Sequence, residues 1–249
     1  MQSKWSGSGR RIADDDIYIN EDRREKPKDI FVHIGNILEE KGAKNGGSCI
    51  DIGCATGDLL HYLSFRFPKL KLSGFDVSQK MLELARKRLP SVEFIQGDIS
   101  VPTLSPTSKF DFSIMSGVLN CFDDTEPVLS NLVNLTLPNG RIVVLDMIND
   151  HPVDVIMRHR RVIEGSDTEG EWEIGWNYVS RATIKKILDT KSNDIDKYQM
   201  LPFAMSQSLI QREDPMRTWT IETKKNPRQL VNGAQQLVQL QFLIIDLKS

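Results

Sequence analysis

Apolar residues recur along this chain in two alternating rhythms. Between Asp29 and Lys41 they fall at Ile30, Phe31, Ile34, Ile37 and Leu38. That spacing belongs to a helix with one buried stripe, and Gly42 ends it. From there short apolar runs take turns with amphipathic stretches. The runs predict strands near 48–53, 71–76, 92–96, 110–116 and 141–147, and the stretches predict helices near 57–66, 78–89 and 124–137. Such alternation predicts an α/β fold, a parallel sheet with helices on both faces. Right-handed crossovers bring the strand ends, with Gly53, Asp76, Asp98 and Ser116, to one rim. Open α/β sheets bind their ligands outside that rim.

Beyond Asp146 the rhythm changes. Val153 to Glu164 reads as a charged helix opened by His151-Pro152, followed by a turn rich in Gly, Asp, Glu and Thr. Trp172 and Trp176 come next, four apart, so that on a helix they would share a face. Ser180 is expected to cap a helix over Arg181 to Leu188. Strands are expected at 197–206, 216–222 and 237–247. Residues 1 to about 27 are polar apart from Ile17-Tyr18-Ile19. The organisation expected is an N-terminal arm or lid over 1–28 and one domain over 29–249, carrying an insert at about 148–178.

The stretch from Cys49 to Leu60, CIDIGCATGDLL, holds the most chemical information. It reads as a strand turning sharply into a helix, with Gly53, Ala55 and Gly57 letting backbone approach a ligand closely. Asp76 ends the next strand, 19 residues after Gly57, near the spacing that sets an acid beside a ribose in a βαβ unit. A carboxylate there can accept from both ribose hydroxyls. Asp98 ends the third strand, where an adenine amino group can be accepted. A nicotinamide-binding loop is the competing reading, but its second and third small positions hold Ala55 and Asp58, and Asp58 would repel a pyrophosphate. A phosphate-binding P-loop is excluded by the missing Gly-Lys-Ser/Thr.

These pieces resemble the class I S-adenosylmethionine-dependent methyltransferases. SCIDIGCATG, GFDVS, QGDIS, FDFSIMSGVLNCFDD and LPNGRIVVLD occur in the order of that family, over roughly Gly47 to Asp146. Ala55 departs from the glycine often found there. The resemblance implies a Rossmann-like, doubly wound, mostly parallel seven-stranded sheet with an antiparallel last strand. It also implies S-adenosyl-L-methionine as cofactor and S-adenosyl-L-homocysteine as product. The residues it would place around them are Asp51, Gly53, Cys54, Ala55, Thr56, Gly57, Asp76, Val77, Met81, Asp98 and Ile99, with Ser116, Gly117 and Val118 at the sulfur end. Tyr18 would reach the methionyl end, with Arg23 or Arg24 near a carboxylate; a surface arm anchored by Tyr18 fits the segment equally well.

Composition narrows the partners. A formal charge of −2 gives no general attraction to nucleic acid. Cys49, Cys54 and Cys121 are odd in number and lack paired spacing, so neither a disulfide framework nor a zinc site is expected. Residues 1–10 are polar, and no apolar run approaches 18 residues, so a secretory leader and a membrane span are not expected and a cytoplasmic location is. The partner expected is a small-molecule acceptor.

Candidate chemistry lies around the rim. His151, just beyond the fifth strand, is the first candidate general base; its alternative is a helix start shared with Pro152 and Asp154. Asn120 can orient a hydroxyl and Asp123 can take its proton, while Asp124 or Thr125 caps the following helix. Arg158, His159 and Arg161, with Arg160 beside them, form a basic cluster suited to phosphate or carboxylate, or equally a solvated helix face. Trp172, Trp176 and Tyr178 form an aromatic wall for a sugar ring or planar acceptor, or part of a core. Arg217, two before Trp219 on a predicted strand, joins the pocket if that strand faces the rim. The function expected is methyl transfer to a small metabolite, foremost a hydroxyl of a sugar or of a nucleotide-linked or phosphorylated intermediate of surface polysaccharide. A non-catalytic S-adenosylmethionine-binding regulator, a natural-product enzyme and an RNA methyltransferase are the alternatives.

Overall fold

The structure, a computed structural model, describes residue 19 and residues 26–102, 106–160, 172–211, 217–231, 237–238 and 240–249. Helix α1 (Asp29–Glu40) turns Phe31, Ile34, Ile37 and Leu38 inward, the stripe the sequence spells out. Strand β1 (Gly47–Ile52) then begins an alternation: α2 (Asp58–Arg66), β2 (Leu70–Asp76), α3 (Gln79–Arg88), β3 (Glu93–Gln96), β4 (Phe110–Ser116), α4 (Glu126–Leu135) and β5 (Thr136–Asn149). After β5 come two-residue strands β6 (Arg158–His159), β7 (Glu173–Ile174) and β8 (Val179–Ser180), helix α5 (Arg181–Thr190) and β9 (Ile195–Phe203). Strands β10 (Trp219–Ile221), β11 (Gln229–Val231) and β12 (Leu237–Val238) form a small antiparallel sheet, and β13 (Leu240–Leu247) follows.

The main sheet runs β3-β2-β1-β4-β5-β13-β9, with β8 added beside the end of β5. Pairing is parallel from β3 through β5, and β13 runs antiparallel to both its neighbours. The seven-stranded, mostly parallel sheet and its antiparallel last strand therefore stand as read from the sequence. The chain order reverses between β1 and β4, the switch point where such sheets open a crevice.

Alternation at period 2 sorts each strand's side chains between two cores. On β5, Val143 and Leu145 face the layer of α1, α2 and α3, whereas Ile142 and Val144 face α4 and α5. On β13, Phe242 and Ile244 take the first layer, and Leu243 and Ile245 the second. Burying one such side chain contributes about 1.5–3 kcal/mol, so a one-residue slip of β13 would exchange both layers at once. Short polar caps fix the helix starts. Ser78 Oγ accepts from Met81 N at 3.3 Å, and Ser180 Oγ accepts from Thr183 N at 3.1 Å, the latter cap being the one expected.

The segment after β5 departs from the sequence reading. The expected helix from Val153 is absent over 153–160, while residues 161–171 lie outside the described residues. Instead Val155 N donates to Tyr178 O and Tyr178 N to Val155 O, both at 2.8 Å, and Gly175 N donates to Met157 O at 2.9 Å. Arg158 and His159 then pair with Ile174 and Glu173. The described residues of the insert form the two antiparallel arms of a hairpin, with no helix among them. Trp172 and Trp176 consequently share no helix face: Trp172 is exposed and Trp176 half-buried. Local periodicity missed the arrangement because the pairings that join its two arms span 14 to 23 residues.

Candidate active site

The turn from β1 into α2 is held open from below by backbone. Gly53 N and Cys54 N donate to Phe75 O at 2.7 and 3.1 Å, tying the turn to the end of β2. Gly53 has φ +76°, and a Cβ there would lie 2.3 Å from Val118 Cγ2. Only glycine fits. Gly57, at φ +85°, ends the turn and starts α2.

Ala55 also adopts a left-handed conformation, φ +46°. A side chain costs about 1–2 kcal/mol there, against a smaller entropic penalty for glycine of about 0.5–1 kcal/mol. Ala55→Gly is therefore expected to stabilise the folded protein by about 0.5–1 kcal/mol, read as a raised denaturant midpoint at unchanged slope.

Above the turn opens a cavity of about 320 Å³. Every residue expected at the cofactor lines it except Gly57, which shapes the turn from behind, and Tyr18, which with Arg23 and Arg24 lies outside the described residues. Three strand-end acids face this space. Asp76 receives Ala55 N on Oδ2 at 2.9 Å and Ser78 N on Oδ1 at 2.8 Å. Asp98 Oδ1 is fixed by Ser100 N and Oγ at 2.9 and 2.7 Å. Asp51 is buried, and that burial, reinforced by the charge of Asp76, pushes its carboxyl up to about 8. Opposite, Gly117 has φ +71° and nothing within 4 Å of where a Cβ would stand, so this backbone borders open space.

The sequence reading missed part of the wall. Lys28, Ile30 and Phe31 enter from the start of α1, and Cys121 and Phe122 from the short 3₁₀ turn after β4. Lys28 is the one cation among the described lining residues, which also include Asp51, Asp58, Asp76 and Asp98. Its position just before the α1 stripe was the available signal.

A second cavity, of about 450 Å³, adjoins the first across Phe122. Asn120, Asp123 and Tyr178 line it. Asn120 is buried, its Nδ2 donating to Asp146 Oδ1 at 2.6 Å and its N to Asp146 Oδ2 at 3.2 Å. Asp146 is itself fully enclosed, and burial raises its carboxyl above the usual range despite the donors around it. Asp123 is ion-paired with Arg158. His159 stacks on Trp176, ring centres 6.4 Å apart, and Arg160 lies 4.9 Å over Trp172.

His151 lines neither cavity: it is exposed on the turn after β5, its N donating to Asn149 Oδ1 at 3.1 Å. Arg217 also lines neither, preceding β10 instead of lying on it, and Arg161 is outside the described residues. Trp176 and Tyr178 pack with Met205, Leu209 and Leu240 over Met147 and Leu230, a small apolar cap above the ends of β5 and β13. Among the described residues, no helix is long and apolar enough to cross a membrane.

A glycine turn at a switch point, with acids at three consecutive strand ends, defines a nucleoside-binding α/β protein. The sequence matches the profile of a methyltransferase domain family over residues 43–194. The chain belongs to this family, the class I S-adenosylmethionine-dependent methyltransferases. It is 35% identical over 112 residues to a trans-aconitate 2-methyltransferase of Acidovorax sp. (strain JS42), covering 44% of this chain and 42% of that protein. It is 34% identical over 115 residues to a malonyl-[acyl-carrier protein] O-methyltransferase of Halalkalibacterium halodurans, covering 43% and 42%. The chain spans about half or less of the length of the curated relatives it matches. In fold it resembles the N-methyltransferase NodS of Bradyrhizobium japonicum WM9, solved with S-adenosyl-L-homocysteine: TM-score 0.53, 13% identity, 95% of this chain and 98% of that one.

The cavity suits the family's cofactor. An acid ends β2 at ribose distance along the chain, glycine backbone borders open space at Gly117, and Lys28 offers a counter-charge for a carboxylate.

Proposed function

We propose that this protein transfers a methyl group from S-adenosylmethionine to a small-molecule acceptor held between the first cavity and the insert. The observation carrying this reading is the cavity itself, walled by the Gly53–Gly57 turn, the Asp76 and Asp98 strand ends and the open Gly117 backbone. When bound, S-adenosylmethionine supplies a methyl already activated on a sulfonium. What remains for the protein is positioning, water exclusion and charge. In this reading Asp76 holds the ribose, Asp98 the adenine edge and Lys28 the methionyl carboxylate. Phe122, shared by both cavities, stands between cofactor and acceptor.

The acceptor we infer is a carboxylic acid. A carboxylate is ionised at neutral pH and needs no proton removed, which agrees with the exposed position of His151. Relatives named for trans-aconitate and for malonyl-carrier protein support the same class. A hydroxyl on a sugar or nucleotide-linked intermediate is the second reading, favoured by the stacked His159–Trp176 pair and Tyr178 beside it. The basic cluster lends it less weight, because Arg158 is already paired with Asp123.

Calorimetry with S-adenosylhomocysteine is expected to give saturable one-site binding. Transfer of a labelled methyl is then compared across di- and tricarboxylates, sugar nucleotides and phosphorylated sugars. Turnover confined to the acids, unchanged within about twofold in His151→Ala, supports the carboxylate. Turnover on a hydroxyl that falls by about 10²-fold or more in His151→Ala restores His151 as general base. Binding without turnover on any acceptor leaves a cofactor-binding protein, and no binding removes the whole reading.

A further inference from the structure

The insert and the cofactor wall meet at one buried side chain that neither assignment above uses. Asn177 is 5% exposed, and its amide is engaged at both ends. Its Oδ1 accepts from Met157 N at 2.9 Å, across the hairpin. Its Nδ2 donates to Phe122 O at 3.0 Å and to Asp123 Oδ1 at 3.1 Å, while its backbone N donates to Asn120 O at 3.1 Å. An amide offers one acceptor and two donors, and these contacts take up both kinds.

The same short segment, 118–123, touches the cofactor turn. Val118 closes against Gly53, and Cys121 and Phe122 line the first cavity. Its other side is pinned to β5, because Asp146 receives both the N and the Nδ2 of Asn120. A continuous path of hydrogen bonds thus runs from Asp146 through Asn120 to Asn177 and on to Met157. It has no apolar link that can slide freely, and a buried partner left unsatisfied is costly.

We propose that Asn177 is a positioning residue that makes the hairpin's placement depend on occupancy of the cofactor cavity, through residues 118–123. The proposal rests on the cofactor reading above. A ligand against Gly117, Val118 and Phe122 favours one arrangement of that segment, and Asn177 passes the preference to Met157 and Tyr178. By linkage, the hairpin in its placed form favours the ligand equally. The acceptor is therefore expected to bind more tightly once the cofactor cavity is occupied.

Amide hydrogen exchange with and without S-adenosylhomocysteine tests this. In the wild-type protein the ligand is expected to slow exchange both at 53–57 and 116–122 and at 155–158 and 175–178, the latter by at least about tenfold. In Asn177→Ala, and in Asn177→Asp, which keeps the acceptor for Met157 N but sets a carboxylate against Asp123, slowing persists at 53–57 and is lost from the hairpin. The acceptor KM is expected to rise by about tenfold or more in both variants, and by the same linkage affinity for S-adenosylhomocysteine falls by about the factor by which the ligand slows hairpin exchange in the wild-type protein. Wild-type binding without slowing at the hairpin overturns the proposal and leaves the cofactor reading intact. So does equal slowing in wild type and variants. Absence of any binding by the wild-type protein instead removes the cofactor reading and the proposal together. The wild-type arm can overturn the proposal even if neither variant folds.

Discussion

Asp76→Ala is expected to weaken binding of S-adenosylhomocysteine by about 10²- to 10⁴-fold. Two hydrogen bonds from ribose hydroxyls to a charged acceptor contribute about 1.5–3 kcal/mol each, and the substitution removes both. The structure adds a second consequence. The same carboxylate anchors Ala55 N and Ser78 N, so its loss also loosens the glycine turn. The variant is expected to unfold about 1–3 kcal/mol more readily than wild type while remaining folded in the cold. Calorimetry reads the first effect and urea unfolding the second. Near-wild-type affinity in a folded variant would remove Asp76 from the ribose.

Affinity for the cofactor is expected to climb with pH between about 6 and 8, by up to tenfold per unit, because of Asp51. In the empty protein burial, then the neighbouring charge of Asp76, raise its carboxyl to about 8. At neutral pH it therefore holds a proton. A cation entering the cavity favours the ionised form, so binding expels that proton, and does so at decreasing cost as pH approaches 8. Stability of the empty protein runs the other way. Between pH 4 and 8 the folded state retains a proton that the unfolded state has released, so stability declines across that window, by at most about 1.4 kcal/mol per unit. The thermal shift given by the ligand is accordingly expected to be larger at pH 8 than at pH 6. Calorimetry in buffers of different ionisation enthalpy counts the proton directly. A pH-independent affinity, or one unchanged in slope by Asp51→Asn, would sink the assignment.

The legible and illegible parts of this molecule differ in the range of the forces behind them. The turn at Gly53–Gly57, Asp76 at the end of β2 and Asp98 two residues past β3 are dictated within a few residues of themselves, by close backbone approach and by the end of an apolar run. They were read at the correct positions. The segment after β5 was read as a helix because a charged stretch follows His151-Pro152, a proline suited to a first helical turn, whereas the partners of Val155 and Met157 are Tyr178 and Gly175. Trp172 and Trp176 misled for a related reason: a spacing of four also returns to one face at period 2. Asn120, read as able to orient a hydroxyl, lines the second cavity, but its Nδ2 also donates to Asp146, a partner 26 residues away that no local pattern announces. Lys28 was passed over because the arginines of the arm are more conspicuous, although it is Lys28 that the start of α1 brings to the cavity.

The position of β13 governs how the chain can assemble. The strand latest in the sequence lies inside the sheet, hydrogen-bonded to β5 on one side and β9 on the other. Until residues 240–247 arrive during synthesis, β5 has no partner on that side and β9 none toward the sheet. The edge left waiting includes Ile142, Val143, Val144 and Leu145, all fully or almost fully buried once folded. An unpaired apolar edge of this kind is a template for joining another chain. A ribosome stalled short of residue 240 would thus release not a slightly smaller protein but one with its stickiest strand uncovered.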